Sequence, residues 1–125
     1  MKLYINTIIE GKIKVALIDG ETNPELVVKT NRNEAEKLLV LIEKLLVNNN
    51  VSFNKIKKII VADLGGSFTS LRVGVLSANA LAYAYGIPVE GESGAKPIDF
   101  SKFQVVKPIY DREPNIGISK KKTLL

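Results

Sequence analysis

The chain reads as a single α/β domain, a mixed sheet carrying two long helices, and three observations lead there. Short alternating apolar runs recur near the N-terminus, two later stretches have helical length, and between those stretches lies Ile59-Ile60-Val61-Ala62. A continuous apolar run of that length is what a central strand covered on both faces requires. The resulting order is β-β-β-α-β-α-β, a meander followed by crossover units whose parallel connections should be right-handed.

Each element has its own signal. Lys2–Thr7 and Ile13–Asp19 alternate as strands, and the turn Glu10-Gly11-Lys12 between them makes a hairpin. Glu25–Lys29 supplies the third strand through Leu26, Val27 and Val28. The first helix is expected over about Glu34–Asn48, after the capping residues of Thr30-Asn31-Arg32-Asn33 and with Glu34 and Glu36 in its first turn. Leu38, Leu41, Ile42 and Leu45 fall on one face, and Leu39 and Leu46 widen it. Ser52–Ile56 reads as a short turn packing Phe53 and Ile56. Gly65-Gly66 breaks the central strand, Ser67 caps a second helix, and Gly86 ends that helix after Tyr85. Ile87-Pro88-Val89 is a last short strand, placed at an edge because proline cannot donate to a ladder. Beyond it the pattern stops, although Phe100, Phe103, Val105, Val106, Ile109 and Tyr110 are too apolar for a linker and should lie against the sheet.

Composition narrows the chemistry. A chain of 125 residues with 46% hydrophobic and 25% charged residues fits one folded domain with a modest core. It contains no cysteine and no histidine, which removes disulfides, thiol nucleophiles, the usual zinc ligand sets and imidazole acid–base catalysis. Met1-Lys2-Leu3-Tyr4-Ile5 does not resemble a secretory signal. No segment supplies the roughly 18–20 apolar residues of a membrane span, so a cytoplasmic location is expected. The net charge of +5 is concentrated toward the C-terminus, where Lys120, Lys121 and Lys122 are candidates for salt-sensitive nucleic-acid contact or simply a solvated end.

Two features compete as the working site. The turn Gly65-Gly66-Ser67 at a helix start is a candidate anion cradle, because free backbone N–H groups there attract phosphate. It lacks the lysine of a P-loop and also reads as a plain capped turn. Asp19, Asp63, Glu90 and Glu92 could hold a divalent cation, and Asp63, Glu90 and Glu92 follow strand ends, though solvated loop acids are the plainer reading. The helix beginning at Ser67 is the stronger signal. It is apolar nearly all round, with small residues at Gly74, Ser77, Ala78, Ala80, Ala82 and Ala84, and Arg72 as its one charge needing a partner such as Asp63. Two such helices per chain suggest burial against another subunit through a four-helix contact, the alternative being a helix buried wholly within its own domain.

The stretch Gly66-Ser67-Phe68-Thr69-Ser70-Leu71-Arg72-Val73-Gly74 resembles the G-S-F-T-G-[LI]-R-[VI]-G signature of the TsaB (YeaZ) family. The likeness extends through Ala78, Ala80-Leu81-Ala82 and Tyr85-Gly86-Ile87-Pro88-Val89, and back to Glu36-Lys37-Leu38-Leu39. Lys107–Pro114 is similar to the family's C-terminal P-x-Y-x-R-x-P. Departures are Asn6 in the family's I-D-T-S start, Leu64-Gly65 in place of Gly-Pro, and Ser70 in place of glycine.

The resemblance implies an actin/Hsp70-like (ASKHA, RNase H-like) lobe over residues 1–91. Its five-stranded mixed sheet would have the order 3-2-1-4-5, with two main helices on one face. Residues 92–125 would form a partly packed tail with a disordered basic end. The family's second lobe is expected to be missing, with Phe100–Tyr110 covering the sheet surface it leaves. It further implies a non-catalytic paralogue, without cofactor or metal, that dimerises with a TsaD-like subunit. That complex, with a TsaE-like ATPase, installs threonylcarbamoyl on tRNA adenosine; alone, the subunit would form a homodimer. Carried over, the interface residues are Leu38, Leu41, Ile42 and Leu45 on the first helix and Leu71, Gly74, Val75, Ala78, Leu81 and Ala82 on the second. tRNA would be contacted only indirectly, aided by Lys120–Lys122. The competing expectation is a reduced ASKHA phosphotransferase that binds nucleotide at Gly65-Gly66-Ser67 and Asp63.

Overall fold

Alternation along the strands decides which face of the sheet is covered. The computed structural model describes residues 1–111. Strands β1 (Lys2–Asn6), β2 (Lys12–Ile18), β3 (Glu25–Lys29), β4 (Lys58–Val61) and β5 (Val89–Gly91) form one sheet in the order β3-β2-β1-β4-β5. β1 pairs antiparallel with β2 and parallel with β4, so Leu3 lies between Leu17 and Ile59, and Ile5 between Val15 and Val61. These six side chains are buried on the face that carries both helices, α1 (Glu34–Asn48) and α2 (Phe68–Tyr85). This is the expected mixed sheet and strand order.

The helices divide that face between them. α1 lies over β2 and β3, α2 lies over β1, β4 and β5, and the two touch each other. α2 begins where Ser67 Oγ accepts the Ser70 N–H at 3.1 Å, and it ends at Gly86, whose φ of 65° only glycine adopts without strain. The last strand starts two residues later than the sequence suggests. Pro88 has no N–H, but its carbonyl accepts from Ile59, so pairing opens there.

Three expectations change. Ile60 is only half-buried, because among the described residues neither helix crosses the second face of the sheet. That face instead presents Tyr4 and Ile60, and the ion pair between Lys58 and Glu90 at 3.2 Å. Residues 92–97 border it, with Tyr4 Oη donating to Glu92 at 2.9 Å, but the Phe100–Tyr110 segment expected to cover it lies elsewhere. A small antiparallel pair, β6 (Ile98–Asp99) and β7 (Gln104–Val105), packs beside α2 and β5. The Asn79 side chain holds the Val106 N–H and C=O at 2.8 and 2.9 Å, and Leu64 bridges to Ile109 alongside β4. Phe103 meets the ring of Tyr83 edge-on, so this segment's apolar residues cover α2. Finally, Arg72 is not paired with Asp63. Its Nε donates to Tyr110 Oη at 2.7 Å, and its guanidinium lies 5.7 Å from that ring. Asp63 turns inward and accepts from Ser93 N and Oγ at 2.9 and 2.7 Å.

Candidate functional site

The glycine turn is built by sterics. Gly65 and Gly66 have φ of 89° and 77°, and a Cβ on Gly66 would run into Ile8 at 2.6 Å. Two of its donors are occupied: Gly65 N–H bonds to Ile109 C=O at 3.1 Å, and Ser70 N–H to the Ser67 hydroxyl. Carboxylates border it on three sides. Asp111 lies beside Gly65, Glu34 accepts from Ser70 Oγ at 3.2 Å, and Glu10 lines the 310 Å³ cleft that also holds Gly66 and Ser67. Among the described residues these acids do not converge into a metal ligand set. An incoming phosphate would meet these carboxylates, so the turn's visible work is to start α2.

The helix pair is placed differently from the sequence reading. Leu38, Leu41, Ile42 and Leu45 of α1, and Leu71, Gly74, Val75, Ala78 and Ala82 of α2, are all buried inside this chain's own core. Leu81 is partly buried against the same core. Most of these side chains thus face this chain's own sheet, while Ile42 and Leu81 also line the cleft between the helices. The regular i, i+3, i+4 apolar stripe is the face a helix turns toward its own sheet. Gly74 is small because α2 crosses β1 closely there: a Cβ would collide with Thr7 Oγ1, the hydroxyl that donates to Ser70 C=O.

The outward face of the helix pair nevertheless carries apolar side chains, set among the exposed Glu36, Glu43 and Lys44 of α1. Val40 and Val47 on α1 are 63% and 68% exposed, and Leu76 on α2 is 64% exposed; Leu39 and Tyr85 are also exposed. A shallow cleft of 310 Å³ runs between the helices, lined by Leu39, Glu43, Val47, Leu81 and Tyr85 among others, with Tyr85 stacked on Phe53 at 4.0 Å. Sequence reasoning missed these positions because it took the most regular stripe as the contact surface. The usable signal was the apolar residues left over after that stripe had been assigned to the core. Lys120, Lys121 and Lys122 lie outside the described residues, as does the Arg112–Pro114 end of the C-terminal motif.

A family model described as "TsaD: tRNA N6-adenosine threonylcarbamoyltransferase" matches residues 12–94. The chain belongs to that family. Relatives named tRNA N6-adenosine threonylcarbamoyltransferase include one from Bacillus thuringiensis (strain Al Hakam), 33% identical over 72 residues, covering 58% of this chain and 20% of that protein. Another, from Geotalea uraniireducens, is 30% identical over 90 residues, covering 72% of this chain and 25% of that protein. Among solved structures, YeaZ from Pseudomonas aeruginosa superposes with a TM-score of 0.67 at 25% identity, covering 73% of this chain and 43% of YeaZ. A second Pseudomonas aeruginosa structure, described as similar to YeaZ, gives 0.68 at the same identity and coverage. The chain thus spans a quarter or less of those two sequence relatives and under half of the YeaZ structures. The YeaZ-like, ASKHA-type lobe read from the Gly66–Gly74 signature is the fold observed. Among the described residues, no helix is long and apolar enough to cross a membrane.

Proposed function

We propose that this chain serves tRNA threonylcarbamoyladenosine formation as a non-catalytic docking subunit, which binds a TsaD-like catalytic subunit through the outer face of α1 and α2. The observation that carries the reading is the exposed apolar side chains Leu39, Val40 and Val47 on α1 and Leu76 on α2, two helices whose inner faces are already consumed by the core. Exposed apolar side chains of this kind on a folded lobe fit a protein partner. The family's association with tRNA modification supplies the system. The chain's lack of histidine and cysteine, and the carboxylates around its glycine turn, favour binding over catalysis.

Titration with a TsaD-like subunit from the same source, read by calorimetry, tests this. Leu76→Asp should weaken the complex by on the order of 30-fold, as expected when a charge enters the centre of an apolar contact. Thr69→Asp, at the start of the same helix, gives a peripheral comparison. No binding by the parent chain, or equal binding by Leu76→Asp, rejects the docking role. Lys120–Lys122 are assigned an auxiliary part in tRNA contact; deleting residues 119–125 should lower tRNA affinity most at low salt. Calorimetry with Mg-ATP addresses the phosphotransferase alternative, which needs heat at millimolar nucleotide.

A further inference from the structure

β3 is the outer strand of the sheet, and its main chain is arranged for a second partner. Pro24 C=O accepts from Leu17 N–H, and Thr30 N–H donates to Gly11 C=O, both at 2.9 Å. Antiparallel pairing alternates, so Leu26 and Val28 also turn their main-chain groups toward β2, while Glu25, Val27 and Lys29 turn theirs outward. The Lys29 carbonyl agrees with that direction: Lys37 Nζ reaches it at 3.0 Å from α1. The outward run stops at Asn31, whose N–H is taken by Asn33 Oδ1 at 2.9 Å.

The side chains of these outward residues share the uncovered face of the sheet. Val27 is 48% exposed between an acid and a base. Within the chain, Lys29 stands directly opposite Lys12, a like-charge pair that costs stability, and Glu25 pairs only loosely with Lys14 at 3.6 Å.

We propose that β3 pairs antiparallel with β3 of a second copy of this chain, about a two-fold axis through Val27. In that register Val27 faces its own counterpart. Glu25 faces the partner's Lys29, and the partner's Glu25 settles beside the Lys12–Lys29 pair that lacks an acid. Each outward residue exchanges main-chain hydrogen bonds, and the Lys29 carbonyl, with two lone pairs, can serve both the strand and Lys37. Leu26 meets the partner's Val28 on the helix side. The two-fold operation places the Asn31 stop at both ends, which fixes the length of the ladder. The sequence Glu-Leu-Val-Val-Lys is self-complementary only in this antiparallel register. A strand-edge contact is small, so the association is weak, in the range of roughly 100 µM.

The surface is distinct from the helix face, and the test keeps the two apart. Sedimentation equilibrium is run on the full chain carrying Leu76→Asp, alone and with Glu25→Lys or Lys29→Glu added, with circular dichroism confirming that each variant is folded. The parent's weight-average mass should rise from 13.7 kDa to about 1.7 times that value at about 300 µM chain. Each charge reversal should raise the dissociation constant by at least about tenfold, because two attractive pairs become repulsive. An equimolar mixture of the two reversed chains should recover the parent's average mass. One chain then carries bases at both positions and the other carries acids at both, so each pair across the axis is again of opposite sign. A parent that stays at 13.7 kDa, reversals that associate like the parent, or a mixture that remains dissociated would each overturn the edge pairing.

Discussion

Gly74→Ala sets helix propensity against packing, and the structure says which wins. In an isolated helix the exchange gains about 1 kcal/mol. Here the new methyl would overlap Thr7 Oγ1 and stand 3.2 and 3.3 Å from Thr7 Cγ2 and Cβ. Thr7 is 1% exposed, and its hydroxyl is spent on Ser70 C=O, so swinging it aside abandons a buried hydrogen bond. Overpacking costs about 1–3 kcal/mol, and the lost hydrogen bond about 1 more. Set against the propensity gain, Gly74→Ala should destabilise the chain by about 1–3 kcal/mol. Urea unfolding followed by circular dichroism measures it. In a Thr7→Ala background the overlapping oxygen is gone, so the same substitution should become neutral or stabilising by up to about 1 kcal/mol. The coupling between the two sites is then about 2 kcal/mol. Equal effects in both backgrounds, or a Gly74→Ala chain as stable as the parent, would refute the close approach of α2 to β1 as the reason for glycine.

Asn79→Ala removes both hydrogen bonds to Val106. Amide exchange at Val106 should accelerate by on the order of 10–100-fold while the β1 and β4 amides change little. Asp63→Ala strips the partner of Ser93 N–H and Oγ from a position 1% exposed. It should cost about 1–3 kcal/mol in the urea assay, with Asp63→Asn costing less. The Tyr4 hydroxyl is pushed up from 10.0 to about 12 by burial and by its hydrogen bond to Glu92, with Asn6 pulling the other way. A raised folded value means the Tyr4 contribution is intact below pH 10 and is lost as the pH rises toward 12. Tyr4→Phe should therefore flatten that part of the stability–pH curve, measured as the difference in urea midpoints between the two chains.

How far the residues alone carry the reading can be followed element by element. The bounds of α1 and β3 were legible from first-turn acids and alternation, although Asn33 makes no side-chain cap and its Oδ1 accepts from Asn31 N–H instead. β6 and β7 were not, because two-residue strands have no period to detect. The glycine turn was legible as a turn, but Glu10, Glu34 and Asp111 come to it from distant parts of the chain, and no local motif announces them. The partner of Arg72 was misread for the same reason. Tyr110 lies 38 positions away and reaches α2 only because Ile109 bonds alongside β4.

What the sequence determined by itself is the lobe: strand and helix identities, the capped launch of α2 and, through the Gly66–Gly74 signature, its family. Those follow from local propensity and periodic apolar spacing, which are properties of neighbouring residues. Which side of each helix remains free was decided only by the tertiary structure. The stripe with the best spacing was drawn into the core, and Leu39, Val40, Val47 and Leu76 are apolar side chains left exposed. Apolar periodicity reports that a face is buried, and only the packed sheet says against what.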